Sequence, residues 1–60
     1  MIAKEQIIKE IEWRYDHSKT MEDQFKKKWE EDVTDEDIYV QYMMWHATRV
    51  SFENLLRAIK

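Results

Sequence analysis

The 60-residue sequence contains no cysteine, no glycine and no proline. The lack of cysteine excludes disulfide bonds and thiolate metal sites. The lack of glycine and proline removes the residues that make most tight turns, which sheet-rich folds need repeatedly and paired helices do not. These absences favour an all-α fold. They also leave self-association as the remaining way for so short a chain to complete a core.

The charge balance and the hydropathy pattern limit the class of partner. The net charge is −3, from ten basic and thirteen acidic residues, which weighs against nucleic acid. No apolar run approaches the roughly 20 residues that span a bilayer, and the N-terminus lacks an apolar signal segment. We therefore expect a cytoplasmic protein that does not associate with membranes, with one domain over residues 1–60.

Apolar periodicity predicts a first helix over about residues 3–31. Its apolar face keeps one phase along the whole segment. Residues 16–20 have modest helix propensity, so a three-helix unit with a break near residues 16–20 is the alternative. The constant phase favours one continuous helix. The residues that define this face are Ile7, Ile11, Ser18, Phe25 and Trp29.

A second helix is predicted over about residues 35–59. Thr34 is suited to cap it, and the acidic residues 35–37 fill its first turn, where the helix dipole favours negative charge. Large apolar residues then recur every seven positions and are expected to pack on the first helix, giving an antiparallel helical hairpin. These residues are Ile38, Trp45, Phe52 and Ile59.

The second helix carries more apolar surface than the first helix can cover. Beside the large stripe runs a stripe of small or slim residues, which permit two helix backbones to approach closely. We predict that this slim stripe is a self-association surface and that two hairpins form an antiparallel homodimer, a four-helix bundle. The slim stripe consists of Val40, Met44, Ala47, Ser51 and Ala58.

Further apolar residues lie outside both stripes and form a second candidate surface, for a protein partner. They include one tryptophan on the first helix and a partial stripe on the second. The histidine in this set is expected at the edge of an interface or on the surface rather than as a ligand. The set consists of Trp13, Tyr39, Met43, His46 and Val50.

The sequence offers no constellation for catalysis or for metal binding. Di-metal sites in helical bundles use Glu-x-x-His motifs, but Arg14 precedes His17 by three positions and Met43 precedes His46. The acidic run at residues 30–37 lacks the glycine of a calcium loop. We therefore expect no enzymatic activity and assign no catalytic residue, metal ligand or cofactor.

The expected function is that of a small non-enzymatic interaction protein, such as a regulator, an inhibitor or an assembly subunit. It would act through protein–protein contacts of a helical bundle. The alternative is a dimeric nucleic-acid-binding regulator that uses the surface of the bundle. Salt-dependent binding to RNA or DNA distinguishes the two, because phosphate contacts weaken steeply as salt rises.

Overall fold

The computed structural model describes residues 3–59, which form two α-helices in an antiparallel hairpin. The first helix, α1, spans Lys4–Glu31, and the second, α2, spans Glu36–Ile59. The hairpin is a rod whose principal extents are 47 × 15 × 15 Å. The prediction of an all-α helical hairpin, with helices at about 3–31 and 35–59, is confirmed.

Helix α1 runs without interruption through residues 16–20. The hydroxyls of Ser18 and Thr20 donate to the carbonyl oxygens of Arg14 and Asp16, at 2.8 and 3.0 Å. The residues of modest propensity thus bond to the helix backbone four residues earlier and do not cap a new helix. The three-helix alternative with a break near residues 16–20 is therefore wrong.

The cap of α2 is Asp35 and not Thr34. The Oδ1 atom of Asp35 accepts the Ile38 amide at 3.1 Å, while its carbonyl oxygen accepts the amide of Tyr39. Thr34 donates its hydroxyl and its amide to Oδ1 of Asp32, at 2.6 and 3.2 Å. These two bonds lower the pKa of Asp32, the hydroxyl bond contributing most. The predicted cap was wrong by one residue: α2 begins at Glu36, so Asp35 takes the position whose side chain accepts the amide three residues on.

Two series of seven-residue spacing on each helix face the other helix. Every member is buried or half-buried, so the predicted large stripe of α2 does lie against α1. No apolar side chain among residues 3–59 is fully buried, however. On α1 the first series is Ile8, Tyr15, Glu22 and Trp29, and the second is Ile11, Ser18 and Phe25. On α2 the first series is Tyr42, Arg49 and Leu56, and the second is Ile38, Trp45, Phe52 and Ile59.

A proline scan tests the continuity of α1. Ser18→Pro is expected to lower the free energy of unfolding by about 3 kcal/mol or more, because it removes a helical hydrogen bond and clashes with the preceding turn. Lys4→Pro is the control, because Lys4 is the first helical residue and follows Ala3 in extended geometry. Urea unfolding at one fixed protein concentration makes the comparison. Equal stability of the two variants would contradict a continuous α1.

The cap assignment is tested by a pair of alanine variants. Asp35→Ala is expected to lower the free energy of unfolding by about 1 kcal/mol, because the amide of Ile38 loses its acceptor. Thr34→Ala is expected to cost less than half of that, since it removes only an exposed contact with Asp32. A larger loss for Thr34→Ala, measured by thermal unfolding of both variants, would restore Thr34 as the cap.

Candidate interaction surface

The outward side of α2 is uncharged along most of its length. Between residues 38 and 59 the acidic and basic residues are Arg49, Glu53 and Arg57, spaced four apart on one side of the helix. Arg49 bonds to Glu22 of α1, and Glu53 bonds to both arginines. Of these charges only Arg49 contacts α1, and Arg57 is exposed. The side of α2 opposite Arg49 has only neutral residues beyond the first turn.

The slim stripe lies on this uncharged side. All five of its residues are exposed to solvent, and Met44 retains 58% of its accessible surface. Leu55 and Met43, both also exposed, lie beside them. The structure therefore places the predicted self-association residues Val40, Met44, Ala47, Ser51 and Ala58 where α1 does not cover them.

The second candidate surface does not form one patch. Tyr39 and Met43 are exposed and Val50 is half-buried on one side of α2. The Nδ1 atom of His46 lies 2.6 Å from Oε2 of Glu22, so His46 belongs in part to the contact between the two helices. Trp13 lies elsewhere, on a groove at the other side of the hairpin.

That groove has a volume of about 240 Å³ and is bordered by both helices. Trp13 is 64% exposed and stacks on His17, with ring centroids 5.7 Å apart. The ring of His17 meets Trp45 edge to face at 5.5 Å. Trp13 is thus held by His17 at the rim of the groove while most of its surface faces solvent. The full lining is Trp13, Arg14, His17, Ser18, Trp45, Thr48 and Phe52.

An ionic network connects the two helices near their middle. Glu22 is only 9% exposed. Its Oε1 atom accepts a hydrogen bond from Nε of Arg49 at 2.8 Å, and its Oε2 atom is hydrogen-bonded to Nδ1 of His46 at 2.6 Å. Arg49 also donates to Glu53 at 3.0 Å. The hydrogen bond to Glu22 raises the pKa of the Arg49 guanidinium, against the opposing effect of burial. Both oxygens of the buried carboxylate are therefore satisfied, as burial of a charge requires.

This network was not predicted from the sequence. Glu22 and Arg49 are charged residues in otherwise largely apolar series: Glu22 stands seven residues after Tyr15 and seven before Trp29. Arg49 holds the same place between Tyr42 and Leu56. A lone charge in each of two seven-residue series, with opposite signs, is a signal for an ion pair between helices.

The basic run at residues 26–28 does not form a patch. Consecutive residues of a helix are about 100° apart, so these three lysines spread around α1. Lys28 places its Nζ atom 5.0 Å from the ring centroid of Phe25, a cation–π contact within the helix. Phosphate binding needs basic side chains gathered on one face, which this arrangement does not provide.

Comparisons of this chain with protein families, curated proteins and solved structures find no significant match. Within residues 3–59, no group of three or more histidine or acidic side chains is arranged to hold a metal ion. Neither described helix is long and apolar enough to cross a membrane. The features that bear on function are thus the uncharged side of α2, the Trp13 groove and the ionic network.

The network predicts an unequal response to the loss of its members. Arg49→Leu is expected to lower the free energy of unfolding by about 2 kcal/mol, because Glu22 stays buried without its main partner. Arg57→Leu, the control, removes an exposed pair and is expected to change it by less than about 0.5 kcal/mol. The double variant Glu22→Leu/Arg49→Leu should recover most of the loss, because no buried charge remains.

Denaturant unfolding of these variants at one protein concentration provides the measurement. A double variant that loses as much as the Glu22→Leu and Arg49→Leu single variants combined would show that the two residues are not coupled, which contradicts the pair.

Proposed function

We propose that this protein is a non-enzymatic interaction protein that acts through helix-to-helix contacts. Its first contact is with a second copy of itself, and the two hairpins form a four-helix bundle. The observation that carries this proposal is the solvent-exposed, uncharged side of α2, with Val40, Met44 and Leu55 among its exposed apolar residues.

The accessible surface of the hairpin supports association. A compact monomer of 7.5 kDa exposes about 4,250 Å², whereas the hairpin exposes 4882 Å². The excess of roughly 600 Å² approaches the about 800 Å² that each partner buries in a standard interface. Ordering the backbone costs about 1–2 kcal/mol per residue, and a chain without a fully buried apolar side chain recovers little of that cost alone.

The distribution of charge favours α2 as the helix that faces the partner. The side of α1 remote from α2 carries exposed charged residues, among them Lys9, Asp16 and Lys27. Burying those charges would cost several kcal/mol each, whereas burying Ala47 or Ser51 costs far less. Small residues on both sides of a two-fold axis also permit close packing of one α2 against the other.

The same arrangement leaves Trp13 for a different protein. Trp13 lies on the Trp13 groove, away from the slim stripe, so a dimer joined through α2 displays two copies of it. Tryptophan, with tyrosine and arginine, is enriched at the energetic centre of protein interfaces. A regulator, an inhibitor or an assembly subunit that binds a second protein would use such a side chain.

Ala47→Glu tests the self-association surface. Wild-type protein is expected to sediment as a dimer, with a melting temperature that rises with protein concentration. The variant is expected to sediment as a monomer with much of its thermal stability lost, because two carboxylates would enter the contact. Gln24→Glu is the matched control, since it adds the same charge on the exposed side of α1.

Two outcomes of that experiment would contradict the proposal, the first in full and the second in part. A wild-type monomer with a concentration-independent melt would remove self-association altogether. A folded Ala47→Glu dimer would keep self-association and move the contact to the side of α2 that carries Tyr39, Met43 and Val50.

A further inference from the structure

The sulfur chemistry of this chain belongs entirely to methionine. The sequence has four methionines and no cysteine. Met21 is half-buried on α1, whereas Met43 and Met44 of α2 keep 42% and 58% of their accessible surface. Oxidation of a thioether follows its exposure to solvent. Among residues 3–59, Met43 and Met44 are therefore the sulfur atoms that a peroxide reaches most readily.

Met44 is the member of this pair that belongs to the slim stripe. The positions one turn before it on α2 are Val40 and Gln41, and those one turn after it are Ala47 and Thr48. Its thioether faces solvent on the single hairpin, at a place that the proposed dimer would cover with α2 of the second copy. The chemical state of this one sulfur thus bears directly on self-association.

Oxidation by a hydroperoxide turns this apolar side chain into a polar one. The sulfur attacks one peroxide oxygen, the O–O bond breaks, an S–O bond forms, and the second oxygen leaves as water. The thioether is thereby oxidised by two electrons and the peroxide reduced by two. Methionine sulfoxide reductase reverses the change at the expense of two thiols, which become a disulfide while the oxygen leaves as water. Because the chain has no cysteine, neither reaction alters a protein thiol.

The new sulfoxide oxygen needs a hydrogen-bond donor, and this part of α2 supplies few. Thr48 already donates its hydroxyl to the carbonyl oxygen of Met44 at 2.8 Å. Gln41 is the other side-chain donor within one turn, but it is exposed and would have to leave water together with the sulfoxide. Desolvating a polar oxygen without a full replacement for its water opposes burial. The sulfoxide of Met44 therefore disfavours the covered state that the thioether favours.

We propose that Met44 is a reversible oxidation site that controls self-association: the thioether permits two hairpins to pair, and the sulfoxide keeps them apart. In the dimer the sulfur is covered, so the peroxide acts on dissociated hairpins, and the oxidised chains accumulate as monomers by mass action. This inference rests on the proposed self-association through the slim stripe, to which it adds a chemical control.

A matched pair of leucine variants tests the site. Leucine has nearly the volume of methionine and no sulfur, so Met44→Leu and Met43→Leu are both expected to keep the dimer. After treatment with hydrogen peroxide, wild-type protein and Met43→Leu are expected to show a dimer dissociation constant raised at least about tenfold in sedimentation, because each copy brings one sulfoxide into the contact. Met44→Leu is expected to stay within about twofold of its untreated value. Sulfoxide reductase with a thiol is expected to restore the wild-type dimer.

The outcomes separate this inference from the proposed function. Equal sensitivity of Met44→Leu and wild-type protein to peroxide would overturn Met44 as the site and leave the self-association standing. A wild-type dimer that persists after mass spectrometry shows Met44 to be fully oxidised would do the same. A wild-type protein that sediments as a monomer before treatment would overturn both this inference and the proposed function.

A second measurement uses the natural sequence alone. Wild-type protein is treated with limiting hydrogen peroxide, its dimer and monomer fractions are separated by size-exclusion chromatography, and tandem mass spectrometry locates the sulfoxides. The sulfoxide of Met44 is expected to be enriched at least about tenfold in the monomer fraction, in line with the raised dissociation constant. The sulfoxide of Met43 is the internal control, with an expected enrichment below about twofold, because Met43 lies beside the stripe. An equal share of Met44 sulfoxide in the two fractions would overturn the proposal.

Discussion

The contact between Glu22 and Arg49 is the constraint that aligns the two helices. Apolar side chains tolerate sliding by a turn, since most neighbouring positions are also apolar. A carboxylate as buried as Glu22 does not tolerate it, because losing its cationic partner is expected to cost about 2 kcal/mol. His46 of α2 is hydrogen-bonded to the second oxygen of Glu22, and this contact also requires the same alignment of the two helices. The ion pair and the short connection between Glu31 and Glu36 are thus compatible with one register of the two helices.

This alignment has a consequence for the outside of the molecule. The basic and acidic side chains of α2 beyond its first turn take part in the network, so the helix presents no charge on its other side. Helix α1 is the reverse, with charged residues on the side remote from its partner. The hairpin therefore has two unlike outer surfaces, one charged and the other neutral with exposed apolar residues.

The sequence predicted the features that depend on periodicity alone. The constant phase of the apolar face predicted an unbroken α1, and the seven-residue stripe from Ile38 predicted which side of α2 packs inward. Periodicity marks Glu22 and Arg49 as lone charges within the facing series, but their pairing also depends on the register between the helices. The cap was missed because Thr34 and Asp35 are both capping residue types, and the sequence alone does not decide at which of two neighbouring residues the helix begins.

The ionic network and the slim stripe lie on different sides of α2, so the residues that align the two helices are not those proposed to bind a second copy. Glu53 and Ser51 are two residues apart and therefore about 200° apart around the helix. Covering the slim stripe would leave Glu53 and Arg57 at the hydrated edge of the hairpin, so association would not require their desolvation. The free energy of association would then come mainly from apolar burial and helix packing on α2. With that apolar burial supplied by a second copy, as proposed, the short chain would need no large core of its own.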